Sequence, residues 1–128
     1  MLSVGKAGHG LRPITVESLL NRFVADVPGV TEAFAIGADG LLIASSSQVD
    51  RARADTVAAI TTHLLSLAAR SAELLQGGRV AVAMIEMNTG FLFLMGLADG
   101  SAVVGWADRT GDVGQTGYEL AALAERLS

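Results

Sequence analysis

The residues best suited to hydrolytic chemistry are His63 and Ser66, which lie one helical turn apart in a long predicted helix. A serine nucleophile activated by histidine also needs a buried orienting acid and donors for the oxyanion. The polar side of a helix supplies neither, so we interpret both residues as surface side chains. His9, the other histidine of the chain, lies in the N-terminal tail. The sequence therefore predicts no catalytic residues and no enzyme.

The sequence supports a metal site or a phosphate-binding site as weakly as it supports a hydrolytic site. The chain contains no cysteine, which excludes disulfides, thiol catalysis, iron–sulfur clusters and cysteine-based zinc sites. The histidines and carboxylates do not cluster at spacings that build a metal shell. Residues 5–10 superficially resemble a phosphate loop, but they follow no predicted strand and lack the Gly-Lys-Ser/Thr order. We predict no metal and no cofactor, and we interpret Glu86 as an edge carboxylate that discourages aggregation.

Composition limits the class of protein. A chain of 128 residues suits one domain, and we expect residues 14–128 to form it after a disordered tail over residues 1–13. A hydrophobic content of 51% leaves apolar surface that a buried subunit interface would explain. The net charge of -4 argues against nucleic acid as a partner. Because no apolar run approaches the ~20 residues of a spanning helix, we expect a cytoplasmic protein without direct membrane insertion.

Changes in hydrophobic period divide the chain into eight elements. The predicted elements are a helix from Thr15 to Pro28, strands at 30–36 and 41–44, a helix from Asp50 to Gly77, strands at 79–87, 91–97 and 101–107, and a helix from Asp112 or Val113 to Leu127. In the first strand, alternation places Val30 on the same face as Phe34 and Ile36. Consecutive apolar residues at 91–94 indicate a strand covered on both faces, so helices must lie on both sides of the sheet. The predicted fold is α+β, a three-layer α/β/α sandwich with one five-stranded antiparallel sheet in the order αββαβββα.

The long helix and the strand after it carry more apolar surface than one sheet can cover. Apolar residues span roughly half of the helix circumference, whereas packing on a single sheet needs a stripe of about 100°. The strand at 79–87 is expected to be a sheet edge, and a long apolar edge aggregates unless something pairs with it. A second copy related by a two-fold axis would cover both features, so we predict a homodimer. The apolar residues concerned include Val57, Ile60, Leu64 and Leu67 on the helix and Val80, Val82 and Met84 on the strand.

Several short motifs resemble the roadblock/dynein light chain domain, whose bacterial members accompany Ras-like GTPases. They are Val27-Pro28-Gly29-Val30, Ala38-Asp39-Gly40-Leu41, the turn from Glu86 to Gly90 that leads into Phe91–Leu94, and Gly114 with Gly117. The resemblance covers about Thr15 to Leu127 and is carried by the order and spacing of these motifs. It implies the roadblock (profilin-like) sandwich, and dimers formed through the long helix and the third strand. By this resemblance the predicted interface consists of Val57, Ile60, Leu64, Leu67, Val80, Val82 and Met84.

The same resemblance implies a non-catalytic role as a regulator or scaffold of a partner small GTPase. Some bacterial relatives stand beside a membrane sensor kinase in their operons, which suggests recruitment to the membrane by a partner. Arginines at 51, 53 and 70 are candidates for an arginine finger towards the GTPase, but solvated helix charges are the more common role. The predicted partner surface is the outer polar side of the long helix, comprising Thr62, His63, Ser66, Arg70 and Glu73.

Two other functions are open on the sequence alone. The same sandwich resembles longin, PAS-like and profilin-like domains, some of which are small-ligand sensors, and a general protein-interaction adaptor is also compatible with it. A sensor needs a cavity with convergent polar groups, and the apolar strands offer few residues to line one. We interpret Trp106 as a core or interface residue.

Overall fold

The computed structural model describes residues 15–128, and within this range the chain folds into three helices and five strands. The elements are α1 Val16–Asp26, β1 Val30–Ile36, β2 Leu42–Ser45, α2 Arg51–Leu74, β3 Ala83–Met87, β4 Gly90–Gly96, β5 Ala102–Asp108 and α3 Val113–Leu127. Their order is the predicted αββαβββα. The predicted tail at 1–13, and residue 14 with it, lie outside the described residues. Among the helices at 15–128, none is long and apolar enough to cross a membrane.

Each helix begins at a side chain that accepts a hydrogen bond from a backbone N–H in the first turn. Such a cap satisfies one of the unpaired N–H groups at a helix start and thereby fixes where the helix begins. The side chains of Thr15, Asp50 and Asp112 accept from the N–H groups of Ser18, Arg53 and Gln115 at 3.0, 3.0 and 2.9 Å. The starts predicted from these three residues are confirmed.

The strands form one antiparallel sheet in the order β2-β1-β5-β4-β3, so that β2 and β3 are its edges. Helices α1 and α3 pack on one face, where Leu20, Leu120 and Leu127 are fully buried. Helix α2 packs on the other face, where Ala54 and Ala58 lie against a smaller cluster around Phe34. The predicted three-layer sandwich is confirmed, and β3 is the sheet edge that the sequence predicts.

The third strand is shorter than predicted. It begins at Ala83, opposite Leu94, and the prediction of a strand from Arg79 is wrong for the single chain. Continuing this register would place residue 81 opposite Gly96, the last residue of β4. The Gly96 carbonyl instead accepts a hydrogen bond of 3.1 Å from the Arg79 guanidinium. A side chain thus uses the acceptor that a longer strand would need, so residues 79–82 are left out of the ladder.

Val30 lies on the opposite face from the one predicted. The pairing of β1 with β5 shifts between Val30 and Glu32, which lie opposite Ala107 and Trp106. Such a bulge adds one residue to one strand and resets the alternation of its side chains. Val30 therefore packs with α1 and α3, whereas Phe34 packs under α2.

Two glycines of β4 provide a matched test of how closely the strands approach. A Cβ on Gly90 would lie 2.1 Å from the carbonyl oxygen of Ala107, whereas one on Gly96 would meet nothing within 4 Å. We expect Gly90→Ala to lower the free energy of unfolding by about 3 kcal/mol, because the backbone of β5 must shift to admit the methyl group. Gly96→Ala should change it by less than about 0.5 kcal/mol. Urea denaturation of both variants tests this, and equal stabilities would contradict the close approach.

Candidate interaction surface

Helix α2 packs on the sheet only through its N-terminal half. Its buried residues are Ala54, Ala58 and Thr61, and no residue of α2 after Thr61 is buried. Thr62 lies beside Gly40 in the turn between β1 and β2, at one end of the sheet. The remaining segment from Thr62 to Leu74 is about 20 Å long, and it continues past this end with most of its surface open.

One row of large apolar side chains runs along the open part of α2. Ile60, Leu67 and Leu74 are 54%, 63% and 85% exposed. Their spacing of seven residues places them on one line of the helix, and Leu64 lies next to that line. Single exposed leucines are ordinary on a protein surface, whereas a continuous apolar row indicates a surface that binds another protein.

The edge strand β3 adds a second open apolar feature. Within the described residues it is paired with β4 alone, and Val82, Met84 and Met87 are about half exposed. An apolar edge of this kind presents unpaired backbone groups that can pair with another strand. The free edge and the row on α2 are the two parts of the predicted interface that the structure leaves uncovered.

The predicted interface residues do not all lie on the same face of the sheet. Met84 is paired with Phe93, which packs with α1 and α3, so Met84 points to that face. Ile85 and Met87 point to the face of α2, because Ile85 lies opposite Leu92. Met84 can share a contact with the α2 row only if the strand edge itself is part of that contact. The alternation of residues 83–87 could have identified Met87, which the prediction omitted.

Arg109 holds the turn that ends β3. Its guanidinium donates to the carbonyl oxygens of Met87 and Asn88 and to the Glu86 carboxylate, each at 2.8 Å. It also lies over the ring of Phe91, 5.0 Å from the centroid, as a cation–π contact. Glu86 is thus an exposed, paired carboxylate on the edge strand. Arg109 follows β5, far from this turn in the sequence, so no local signal predicts its role.

A groove of about 360 Å³ separates α2 from the sheet on the side of β3; we call it the Trp106 pocket. Its apolar walls are formed by Phe34, Val57, Ile60, Met87, Leu92 and Trp106. Glu32 and Arg53 also line it and form an ion pair between β1 and the first turn of α2. The hydrogen bond to Glu32, followed by the negative charge of that carboxylate, raises the pKa of Arg53. The pocket is apolar, and the ion pair already satisfies its two charges.

The predicted partner-binding residues are all exposed on α2, with His63 and Arg70 beside the apolar row and the other three further round the helix. The five residues are Thr62, His63, Ser66, Arg70 and Glu73. The Thr62 hydroxyl donates to the carbonyl of Ala58, and Nδ1 of His63 lies 2.8 Å from the carbonyl oxygen of Ala59.

The arrangement around His63 does not match that of a hydrolase. A backbone carbonyl occupies the position at Nδ1 where a hydrolase would place its orienting acid. Two of the arginines considered as fingers are engaged in ion pairs, Arg51 with Asp55 and Arg53 with Glu32. Across residues 15–128, no three His, Asp or Glu side chains come together in a group that could hold a metal ion.

The three-layer sandwich with an open α2 and an open β3 edge defines the class of the domain, and sequence comparison defines its family. The Roadblock/LC7 domain model matches residues 16–104. The chain belongs to the Roadblock/LC7 domain family, as its motifs predict. A comparison with curated proteins gives no match.

Solved structures agree with this assignment. A Roadblock/LC7 domain from Streptomyces avermitilis is 32% identical, with a TM-score of 0.77 over 85% of this chain and 91% of that one. MglB from Myxococcus xanthus is 16% identical, with a TM-score of 0.80 over 88% of this chain and 90% of that one. The gliding protein MglB from Thermus thermophilus is 18% identical, with a TM-score of 0.72 over 88% of this chain and 87% of that one. At these identities the two MglB proteins show a shared fold alone.

Proposed function

We propose that this protein is a homodimeric, non-catalytic regulator or scaffold that binds a Ras-like small GTPase. The observation that carries the proposal is the open surface formed by the C-terminal half of α2 and the edge of β3. Nothing within residues 15–128 covers either feature, and both lie at the same side of the molecule. The proposal extends to a bacterial signalling system in which a membrane sensor kinase recruits the complex to the membrane.

The open surface is suited to a second copy of the chain. A two-fold axis beside β3 would pair the two edges antiparallel and join two sheets into one. The same axis would bring the two α2 rows together, which would bury Ile60, Leu64 and Leu67 at the centre of the contact. One symmetry operation therefore removes both the exposed row and the unpaired edge from water.

The GTPase is proposed to bind the polar side of α2, adjacent to the dimer contact. A dimer places two copies of this side next to each other, which gives a broad polar surface with His63 and Arg70 near its centre. The class of partner comes from the family resemblance, and the exposure of the five polar residues supports this location. A regulator of this kind acts by binding, so the proposal requires no nucleophile or base from this chain.

The double variant His63→Ala/Arg70→Ala tests the partner surface. We expect its affinity for the partner to fall by tenfold or more, because polar anchors at the centre of an interface commonly contribute about 1.4 kcal/mol or more. The measurement is binding to purified Ras-like GTPases from the same organism, loaded with GDP or with a GTP analogue. Glu125→Ala, an exposed change at the end of α3, is the control. Unchanged affinity in the double variant would place the partner elsewhere.

A further inference from the structure

The open end of α2 carries two of the most exposed apolar side chains in the described chain. Leu74 is 85% and Leu75 is 80% exposed, at the end of a helix that has left its own sheet. We propose that the Trp106 pocket is a socket for Leu74 of a second copy, so that each copy inserts the end of α2 into the other. The proposal rests on the homodimer proposed above, and it specifies how the two copies fit together.

The proposed register uses the seven-residue spacing of the row on α2. Positions 53, 60, 67 and 74 lie on one line of the helix, seven residues apart. A two-fold axis midway between Ile60 and Leu67 makes the two helices antiparallel and places Leu67 against the partner's Ile60. The same axis places Leu74 against the partner's Arg53, at the rim of the Trp106 pocket. No other apolar residue of the row reaches that far along the partner helix.

The ends of the sheet agree with this register. The Trp106 pocket lies where α2 begins, near Glu32 and Met87, whereas α2 leaves the sheet at the opposite end beside Gly40. An antiparallel two-fold pair exchanges these ends. The projecting end of α2 in one copy therefore arrives at the pocket end of the other.

The chemistry of the pocket suits a leucine side chain. Six apolar side chains form its walls, so a leucine that enters the pocket leaves water and packs against apolar atoms. The two charges at the rim already pair with each other, so the entering methyl groups leave no buried charge without a partner. A charged or strongly polar side chain in the pocket would find only apolar walls and two charges that are already paired.

Engineered cysteines test the proposal directly, because the chain has none of its own. In the double variant Val57→Cys/Leu74→Cys, the two positions are 17 residues apart on one helix, about 26 Å, so a short linker cannot join them within one chain. The proposed register places position 74 opposite the partner's position 53, one helical turn from the partner's position 57, at a separation of about 10 Å. This separation is too long for a disulfide, and we expect a bismaleimide cross-linker of about 10 Å to give a covalent dimer from the double variant.

The two single variants are matched controls. In this register the two copies of position 74 are roughly 30 Å apart, and the two copies of position 57 are roughly 20 Å apart. Neither single variant should therefore cross-link with itself. Cross-linking by the Leu74→Cys variant alone would overturn the register.

Trp106 supplies a second readout, because it is the one tryptophan of the chain. We expect its emission to shift to the red on dilution from dimer to monomer. Leu74→Ser should produce the same red shift at concentrations where the protein is still dimeric, and it should raise the dimer dissociation constant by about tenfold or more. Tyr118→Ser on α3 should do neither.

The results of these experiments distinguish failure of the proposed Leu74 contact from failure of the proposed dimer. A dimer by light scattering that shows no cross-link in the double variant, with Trp106 emission independent of Leu74, overturns the socket and leaves the proposed dimer intact. A protein that is monomeric at every concentration overturns both.

Discussion

Replacing Leu67 with aspartate will convert the proposed dimer into monomers, with an increase of about a thousandfold in the dissociation constant. Leu67 lies in the middle of the exposed row on α2, so the change introduces a charge at the centre of the proposed contact. A two-fold axis places two such charges in one interface. A loss of about 2 kcal/mol for each gives about 4 kcal/mol in total, which corresponds to the thousandfold change. Sedimentation equilibrium at several concentrations measures it.

The fold of the single chain should survive this substitution, because the side chain is 63% exposed. Circular dichroism should therefore be the same for the variant and for the unchanged protein. Val82→Asp, at the start of the β3 edge, should also weaken the dimer, whereas Tyr118→Asp on α3 should not. A Leu67→Asp protein that dimerises as tightly as the unchanged chain would show that the α2 row is not the contact.

Phe34→Ala will lower the free energy of unfolding by about 3–5 kcal/mol. Phe34 is 1% exposed and belongs to a cluster of six buried residues between α2 and the sheet. The fully buried residues that α2 contributes to this cluster are Ala54 and Ala58, and Val57 packs beside them, so the helix can fill only part of the space that the ring leaves. The cavity would weaken the attachment of α2, on which both proposed binding surfaces lie.

Guanidinium denaturation with tryptophan emission as the probe measures the effect of Phe34→Ala. Leu41→Ala is a suitable control, because Leu41 is an exposed apolar residue in the turn between β1 and β2, and its loss should cost less than about 0.5 kcal/mol. A loss of under about 1 kcal/mol in Phe34→Ala would mean that α2 is not held by this cluster.

The sequence predicts the order of the elements because each boundary has a local cause. Thr15, Asp50 and Asp112 cap the helices they precede, and the turns at Asp39-Gly40 and Asp99-Gly100 separate strands of clear alternation. Helix caps and turns depend on only a few neighbouring residues, so the sequence indicates them without knowledge of the neighbouring strands. The fold class follows from them, and so does the open edge at β3.

The features that the sequence predicts wrongly or misses depend on residues in other strands. The face of Val30 depends on a bulge opposite Ala107 and Trp106, and the start of β3 depends on where β4 ends and on the side chain of Arg79. The anchoring role of Arg109 depends on three acceptors about twenty residues away in sequence. Each of these features depends on a contact between residues distant in sequence, and the hydrophobic period of one segment does not specify such contacts.

The same division applies to the candidate site. The helical spacing of the apolar residues on α2 places Ile60, Leu64 and Leu67 in one stripe from the sequence alone, because residues at this spacing lie on the same side of a helix. The Trp106 pocket required the structure, since its walls come from α2 and from four strands. The apolar row was therefore predictable, and the groove beside it was not.

The mass of the protein in solution, measured by light scattering across a dilution series, tests the central claim most directly. We expect twice the single-chain mass of 13.1 kDa at micromolar concentration, with the monomer reached only on dilution. A constant mass of 13.1 kDa at all concentrations would contradict the homodimer, and with it the explanation of the open α2 row and the open β3 edge.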